Sequence, residues 1–457
     1  MRSASRLLPT ALAAGIALRL FLLVAPSAPL NLKAVEPIAD AAEYLRLADN
    51  LVRHRLFSLD STPPFRPDVF RTPVYPLFLA GFFQLFTNPL LPALLGQLVL
   101  SLCLIWATHQ LARGLGLDEE FAATAALFVA VTPNLAFLST KLVTETLFTL
   151  GLVLNLLLLD RFRVAGRAHD LIATGVLCGL LILTRPIATF FPLVVAGYLF
   201  YRTLRYRMTP IFVPILPLAA ATVVVLPWVI RNGRATGRYI ISTVSERNVY
   251  LYSAASVLAS EKSISLAAAR DSMMAEVERE FGQLDSSDES HFWGTLSYVG
   301  WRHVLRHPIT AVRIHIAGSA AALVLPLSIR PLLIHFGAGT NQDFASTPHL
   351  AQQVLGLLAR ARVSTAFVLL WRERLSRMPI LALILFIWAL VFHLCLLLLF
   401  VVGLLSRQGR SVIWLLLPLF YFALSVGPVG DARFRAPVEP LMAIIASVGL
   451  ATALKPR

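Results

Sequence analysis

Asp40 opens the first polar stretch of the chain, in Asp40-Ala-Ala-Glu43-Tyr44-Leu-Arg-Leu-Ala48. A carboxylate there can accept a proton from an attacking hydroxyl; it can equally charge the first turn of a surface helix, since acidic residues favour helix N-termini. At helical spacing Tyr44, Leu47, Ala48 and Leu51 form an apolar stripe. Asp40 lies one turn earlier on the same side and is aimed at whatever the helix packs on. Further along, Phe70-Arg71-Thr72-Pro73-Val74-Tyr75-Pro76 sets Arg71 and Tyr75 at the edge of an apolar run. They read either as a headgroup anchor and an interfacial aromatic or as site residues. Glu145 stands just inside the end of another apolar helix, where a carboxylate is costly and faces a cavity or a partner. Lys141, four residues earlier, is one available partner.

Arg185, in Leu181-Ile-Leu-Thr-Arg185-Pro186, is the most informative single residue. The apolar stretch from Leu171 to Tyr201 is 31 residues, about 46 Å as one helix and too long for one crossing. Pro186 ends the preceding helix, which leaves two short arms and an arginine at their apex. A guanidinium fork beside helix ends suits a phosphate; the alternative is an arginine snorkelling to the interface. Pro227-Trp228-Val-Ile-Arg231-Asn232 marks a helix leaving the membrane, and Arg433-Phe434-Arg435-Ala-Pro437 precedes the last apolar run. Several arginines with a few carboxylates describe a site for an anionic substrate better than a cation pathway. Asp40 and Glu145 are the candidate ligands for Mg²⁺ or Mn²⁺, and no third ligand is evident.

The elements that position these residues follow from composition. Of 457 residues 57% are hydrophobic and 14% charged, against about 25% charged in soluble domains. Uninterrupted apolar runs such as Pro379 to Leu405 and Pro210 to Ile230 can each cross a bilayer as a helix. A β-barrel would alternate apolar and polar residues instead. The fold class is therefore an all-α polytopic membrane protein. The net charge of +15 does not call for nucleic acid. Much of it sits in short loops, at Arg161, Arg163 and Arg167, at Arg202, Arg205 and Arg207, and at Arg407 and Arg410, as the positive-inside rule expects of cytoplasmic loops. Cys103, Cys178 and Cys395 all lie in apolar runs, so no disulfide framework is expected.

Reading apolar runs as spans, and keeping basic loops inside, gives about twelve crossings. The first run, Leu7 to Ala25, reads as a retained span rather than a cleaved signal, because it carries Arg19 and lacks a small-x-small site. Pro73 to Phe86 is short and proline-rich, and is expected to be interfacial or re-entrant. Gln353 to Trp371 carries Arg360 and Arg362, yet parity requires a crossing there. The chain then divides into a transmembrane module over 1–232 with a first outer loop at 26–72, an outer segment at 233–310, and C-terminal helices at 311–457. The candidate site residues all fall on the outer face. One reading of such a cationic face is a transporter or flippase for a lipid-linked anion. His393, within Pro379 to Leu405, is the residue that favours transport; a histidine satisfied inside the bundle is the simpler account.

The ordered set of motifs resembles the GT-C superfamily of integral membrane glycosyltransferases. More narrowly it is similar to bacterial relatives of the protein O-mannosyltransferases and of the aminoarabinose transferase acting on lipid A. The likeness covers Leu7 to about Asn232 and, less closely, Phe420 to Leu454. It implies a hexosyltransferase in the cytoplasmic (inner) membrane, working at its outer or periplasmic face. Its donor would be a sugar on polyprenyl phosphate, moved to an acceptor with inversion. On that pattern Asp40 is the base, with Glu43, Tyr44, Arg71, Tyr75 and Arg231 around the substrate. Glu145 takes the second acidic position, Arg185 meets the carrier phosphate, and Arg433 or Arg435 is the late basic residue. Glu43 is three residues from Asp40, so the adjacent acidic pair of the protein mannosyltransferases is absent and a protein acceptor is not implied. The sugar and the acceptor stay open. No P-loop or Gly-x-Gly-x-x-Gly is present, in keeping with a lipid-linked donor rather than a sugar nucleotide.

Overall fold

A computed structural model of the chain describes residues 7–24, 39–206, 212–328, 362–373 and 378–454, with single positions between them. Among the described residues the protein is helical, without strands. Helix α1 (Leu7–Val24) packs on α4 (Leu90–Gly114) and α5 (Glu119–Val131). Its Arg19 is buried in this contact rather than facing lipid, with Nε donating to Ser101 Oγ at 2.7 Å and Nη1 to the Ala130 carbonyl at 2.8 Å. An intramembrane arginine needs such partners. The first apolar run is thus an integral helix of the bundle.

The core is completed by α7 (Glu145–Ala165), α8 (Ala168–Thr184), α10 (Ile215–Thr236), α17 (Ile380–Leu405) and α19 (Glu439–Leu454). Small residues set the closest approach. Gly403 of α17 and Gly449 of α19 face each other's backbones so tightly that a methyl group at either would collide with main-chain atoms. Lipid tails provide no hydrophobic drive between helices, so close packing of this kind does the work.

Among the described residues six helices are long and apolar enough to cross a membrane, and a seventh is obtained if α5 and α6 (Pro133–Ser139), bent by 58° at their junction, form one broken span. That is below the expected twelve for three reasons. Four apolar pieces are short, at 10–17 residues: α3 (Val74–Leu85), α8, α15 (Pro308–Val324) and the Ile413–Leu424 region containing α18 (Leu416–Leu424). Helix α7 has 21 residues but carries Glu145, Asp160, Arg161 and Arg163. The crossing expected over Gln353 to Trp371 lies partly outside the described residues, and α16 (Val363–Glu373), the helix described there, has only 11 residues. Helix α3, at 12 residues, is too short to cross, in line with the interfacial or re-entrant reading of Pro73 to Phe86.

Three breaks in the helical pattern create the ends on which the site is built. α8 stops at Thr184, Arg185 is extended at φ −147° and ψ 120°, and a 3₁₀ turn over Pro186–Ala188 leads to α9 (Phe191–Tyr206). The pre-proline position disfavours helix, which is why the stretch divides here. α7 starts at Glu145, and α19 is preceded by a 3₁₀ turn over Ala432–Val438, whose Arg433 amide donates to Asp431 Oδ1 at 2.8 Å. Because α7 leads away from Glu145 and α8 returns to Arg185, the turn holding Arg161, Arg163 and Arg167 is at the opposite end of both, about 30 Å away.

Helix α2 (Ala39–His54) lies across these ends with Ala41, Tyr44 and Ala48 buried against Tyr75, Leu79 and Leu94. After α10, a polar segment folds into its own small helical core. It comprises α11 (Val244–Asn248), α12 (Ala255–Lys262), α13 (Leu266–Phe281) and α14 (Glu289–Arg306), closed around Tyr250, Leu258, Met273, Leu296 and Val299.

Candidate active site

Six charged residues drawn from five separate parts of the chain form one alternating series. Arg71 reaches Glu43 Oε2 at 2.6 Å and Asp40 Oδ1 at 2.6 Å. Arg433 Nη1 meets the other oxygen of Asp40 at 2.7 Å, and its Nε donates to Glu145 Oε1. Arg185 Nη1 donates to that same Glu145 oxygen at 2.6 Å. The order is Glu43, Arg71, Asp40, Arg433, Glu145, Arg185. The Glu145 partners are therefore these two arginines and not Lys141, whose Nζ stands over the Phe137 ring at 5.2 Å from its centroid. Glu145 is 1% exposed, and its Oε2 has no hydrogen-bond partner among the described residues.

Each arginine is aimed by its backbone and by an aromatic face. Asp68 Oδ2 accepts the Arg71 amide at 3.0 Å, Thr72 Oγ1 donates to the Thr184 carbonyl at 3.0 Å, and Phe70 and Tyr44 flank the Arg71 guanidinium. The Arg71 turn is thereby fastened to the end of α8. Arg185 lies 5.4 Å from the Phe434 centroid and 5.8 Å from that of Phe148. Tyr75 is fully buried, stands edge-on to Tyr44 at 5.0 Å, and donates to Gln97 Oε1 at 2.6 Å. Gln97 in turn donates to the carbonyls of Leu138 and Lys141. It pins the approach to Glu145.

Sequence reasoning singled out neither Gln97 nor Asp68. Gln97 stands inside the apolar run Leu91 to Leu111 rather than at its end like Gln110, and that was the available signal, because buried amides in a span seek partners. Asp68 had no comparable mark, being one of several acidic residues in a polar loop.

The charges have distinct electrostatic states. Burial alone would raise the pKa of Asp40, but Arg433 and Arg71 outweigh it and hold the carboxyl well below the usual carboxylate range. Asp68 shows the opposite outcome: burial pushes it up to about 7, and its Oδ1 has no partner. Burial also raises the Tyr44 phenol.

The site does not fit a divalent cation between Asp40 and Glu145. Arg433 fills the space that a shared ion would take, and among the described residues no three His, Cys, Asp or Glu side chains converge as a ligand set.

Two arginines expected at the substrate lie outside the charged series. Arg231 donates to the carbonyls of Asp68 at 2.6 Å and Phe57 at 3.2 Å and stacks on Trp228, so it ties the first loop to the end of α10. Arg435 is buried, pairs with Glu439 at 2.8 Å, and donates to the carbonyls of Ala322 and Pro326 at 2.9 and 3.0 Å. It satisfies carbonyls at and just past the end of α15, groups that a helix end leaves open. Arg433, two residues earlier, is the late basic residue in the cluster. His393 Nε2 is 2.7 Å from the Leu323 carbonyl, a buried histidine satisfied within the bundle.

Residues 70–230 match the sequence profile of the dolichyl-phosphate-mannose-protein mannosyltransferase family. The matched stretch begins beside Arg71 and contains Glu145 and Arg185. In fold the chain is similar to the oligosaccharyltransferase of Archaeoglobus fulgidus. Its apo form superposes with a TM-score of 0.50 at 13% identity, over 97% of this chain and 50% of that one. The same enzyme, AglB, in complex with an inhibitory peptide and a dolichol-phosphate gives 0.50 at 14% identity, over 98% and 50%. This chain thus spans about half the length of the solved structures it matches. No curated protein sequence matches it. The resemblance read from the motif order stands as a GT-C fold in a multi-pass, helical membrane protein.

Proposed function

We propose that this protein is a glycosyltransferase that takes a sugar from a polyprenyl-phosphate carrier at the outer face of the cytoplasmic membrane and passes it, with inversion, to an acceptor hydroxyl. The carrying observation is the alternating series itself, in which Arg433 holds Asp40 and Glu145 together while Arg185 stands at the apex of a broken helix. The profile match over 70–230 supports the reading, and so does the likeness to a fold solved with dolichol-phosphate.

The chemistry follows from the pairing. The carrier phosphate leaves with growing negative charge, and preorganised guanidinium groups in a water-poor site stabilise that charge. A phosphate entering beside Arg185 and Arg433 competes with Glu145 and Asp40 for the same donors. Losing Arg433 relaxes the hold on Asp40, and its freed oxygen then accepts the proton of the acceptor hydroxyl as that oxygen attacks the anomeric carbon. Arg71 and Glu43 keep the other Asp40 oxygen in place. The mannosyl-like donor, the side of the membrane and the roles of Glu43, Tyr44, Tyr75 and Glu145 around the substrate belong to this proposal. So does the division at 232 and 310.

The test is incubation of the purified protein with a panel of polyprenyl-phosphate hexoses and pentoses, followed by mass spectrometry of released polyprenyl phosphate. Release from at least one donor, lost in Asp40→Asn and in Arg433→Gln, is the expected result. No release from any donor, or undiminished release by both variants, overturns the proposal.

A further inference from the structure

Arg247 of α11 is held in an unusual way. Its Cζ stands 4.6 Å from the centroid of Phe70 and 5.0 Å from that of Trp293 on α14, so the guanidinium is sandwiched between two rings. Among the described residues no carboxylate comes within ion-pair distance of it, and no side-chain hydrogen bond occupies its N–H edge. Stacking fixes the plane of the cation and leaves the edge as an oriented pair of donors.

The location gives the feature its meaning. Phe70 is shared with the active site, because the Arg71 Cζ lies 4.4 Å from the same ring centroid. The two guanidinium groups are therefore within about 9 Å of each other. Arg71 in turn touches Asp40 at 2.6 Å. The backbone also joins these parts: the Thr243 amide donates to the Val69 carbonyl at 3.0 Å, and Ser242 Oγ donates to the carbonyl of Phe70. The charged groups around the rim are Arg71, Arg66, Glu43 and Glu289. Glu289 is half-buried at the first turn of α14, and burial raises its pKa while Arg247, Arg71 and Arg66 oppose the rise. It stays beyond ion-pair distance and leaves the Arg247 edge open.

We infer that Arg247, clamped by Phe70 and Trp293, is the acceptor-side anion site, and that the acceptor is a sugar or glycolipid headgroup carrying a phosphate or carboxylate about one sugar ring from the hydroxyl that reacts. The inference rests on the transfer reading above and names its acceptor class. Arg185 and Arg433 serve the carrier phosphate on the far side of Asp40, whereas Arg247 is reached through Arg71 on the near side. The segment after α10 thereby supplies a specificity element.

The test uses glucose 6-phosphate, glucose and inorganic phosphate as probes, titrated by calorimetry into the full-length protein in detergent without lipid donor. Glucose 6-phosphate should bind about tenfold or more tightly than glucose, as a charged hydrogen-bond pair supplies. That preference should collapse in Arg247→Gln and partly return in Arg247→Lys, which keeps the charge without the fork; a folding defect would not discriminate between the two. Equal binding of the two sugars by the unaltered protein overturns the inference, and so does a preference that survives Arg247→Gln or is lost in Arg185→Gln instead. Inorganic phosphate binding as tightly as glucose 6-phosphate overturns the sugar portion. Failure of the transfer reading is separate, because it is scored by release of polyprenyl phosphate from the donor by the unaltered protein.

Discussion

Asp40, half-buried, and Asp68, buried, show how two carboxylates 28 positions apart acquire opposite characters. Arg71 and Arg433 keep Asp40 ionised, so protonation of this group does not set the acid limb of the rate profile above about pH 4, its unperturbed range. Asp40→Asn should lower turnover by about 10²-fold or more while leaving donor binding intact. Near-normal turnover in that variant would move the base to Glu43. Asp68, by contrast, is raised to about 7 by burial and has only backbone amides as partners. A carboxyl raised on folding adds stability fully below its unfolded pKa, near 4, and loses it as pH climbs to about 7. The thermal midpoint in detergent should therefore fall between pH 4 and 7 more steeply in the unaltered protein than in Asp68→Asn, which keeps an acceptor for the Arg71 amide but cannot ionise. Identical pH dependence in the two proteins would place Asp68 in water rather than in the buried turn.

At the scale of elements, the breaks carry the design, and they were the part most legible beforehand. Arg185–Pro186 announces itself, since a proline within a stretch too long for one crossing has to divide it. The companion ends were less so. Nothing in the local pattern of Arg433-Phe434-Arg435 distinguishes an arginine that meets Asp40 and Glu145 from one that satisfies carbonyls near the end of α15. The two point to different neighbours only once the 3₁₀ turn over Ala432–Val438 sets their directions. The place of Arg231 outside the charged series was hidden for the same reason: an arginine at a helix exit is common to anchors and to sites. The separation makes a prediction. Arg435→Ala leaves Glu439 buried and unpaired and should cost about 3–5 kcal/mol of stability, read as a lowered thermal midpoint. Arg433→Ala should weaken donor binding with a much smaller change in midpoint, because its partners reach other arginines. Equal losses of midpoint in the two variants would make Arg433 structural as well.

Across the whole molecule the site joins α2 and the first loop, the starts of α7 and α19 and the end of α8, so all of these lie at one face of the bundle. Composition and hydropathy made the membrane class plain, and the arginine-rich turns are the basis of the proposed sidedness. The number of crossings was not legible, because hydropathy does not separate a short apolar helix such as α15 from a span. Sidedness is the claim on which the transfer reading depends, for an enzyme drawing on an outer-leaflet donor must present Asp40 and Arg185 outward. Thr184, buried at the end of α8 and bonded to Thr72, is a poor reporter of it. Ser287, exposed in the segment after α10, and His169, exposed in the first turn of α8, are better placed. In a background lacking Cys103, Cys178 and Cys395, a cysteine at position 287 should react with a membrane-impermeant thiol reagent added to intact cells whose outer barrier is opened. A cysteine at position 169 should react only after the cytoplasmic membrane is permeabilised. Labelling in the reverse order would turn the basic loops outward, against the charge rule, and would deny an outer donor access to Arg185. Labelling as expected leaves the phosphate role of Arg185 to be decided by Arg185→Lys. That change keeps the charge and removes the fork, so it should weaken the lipid donor by about tenfold.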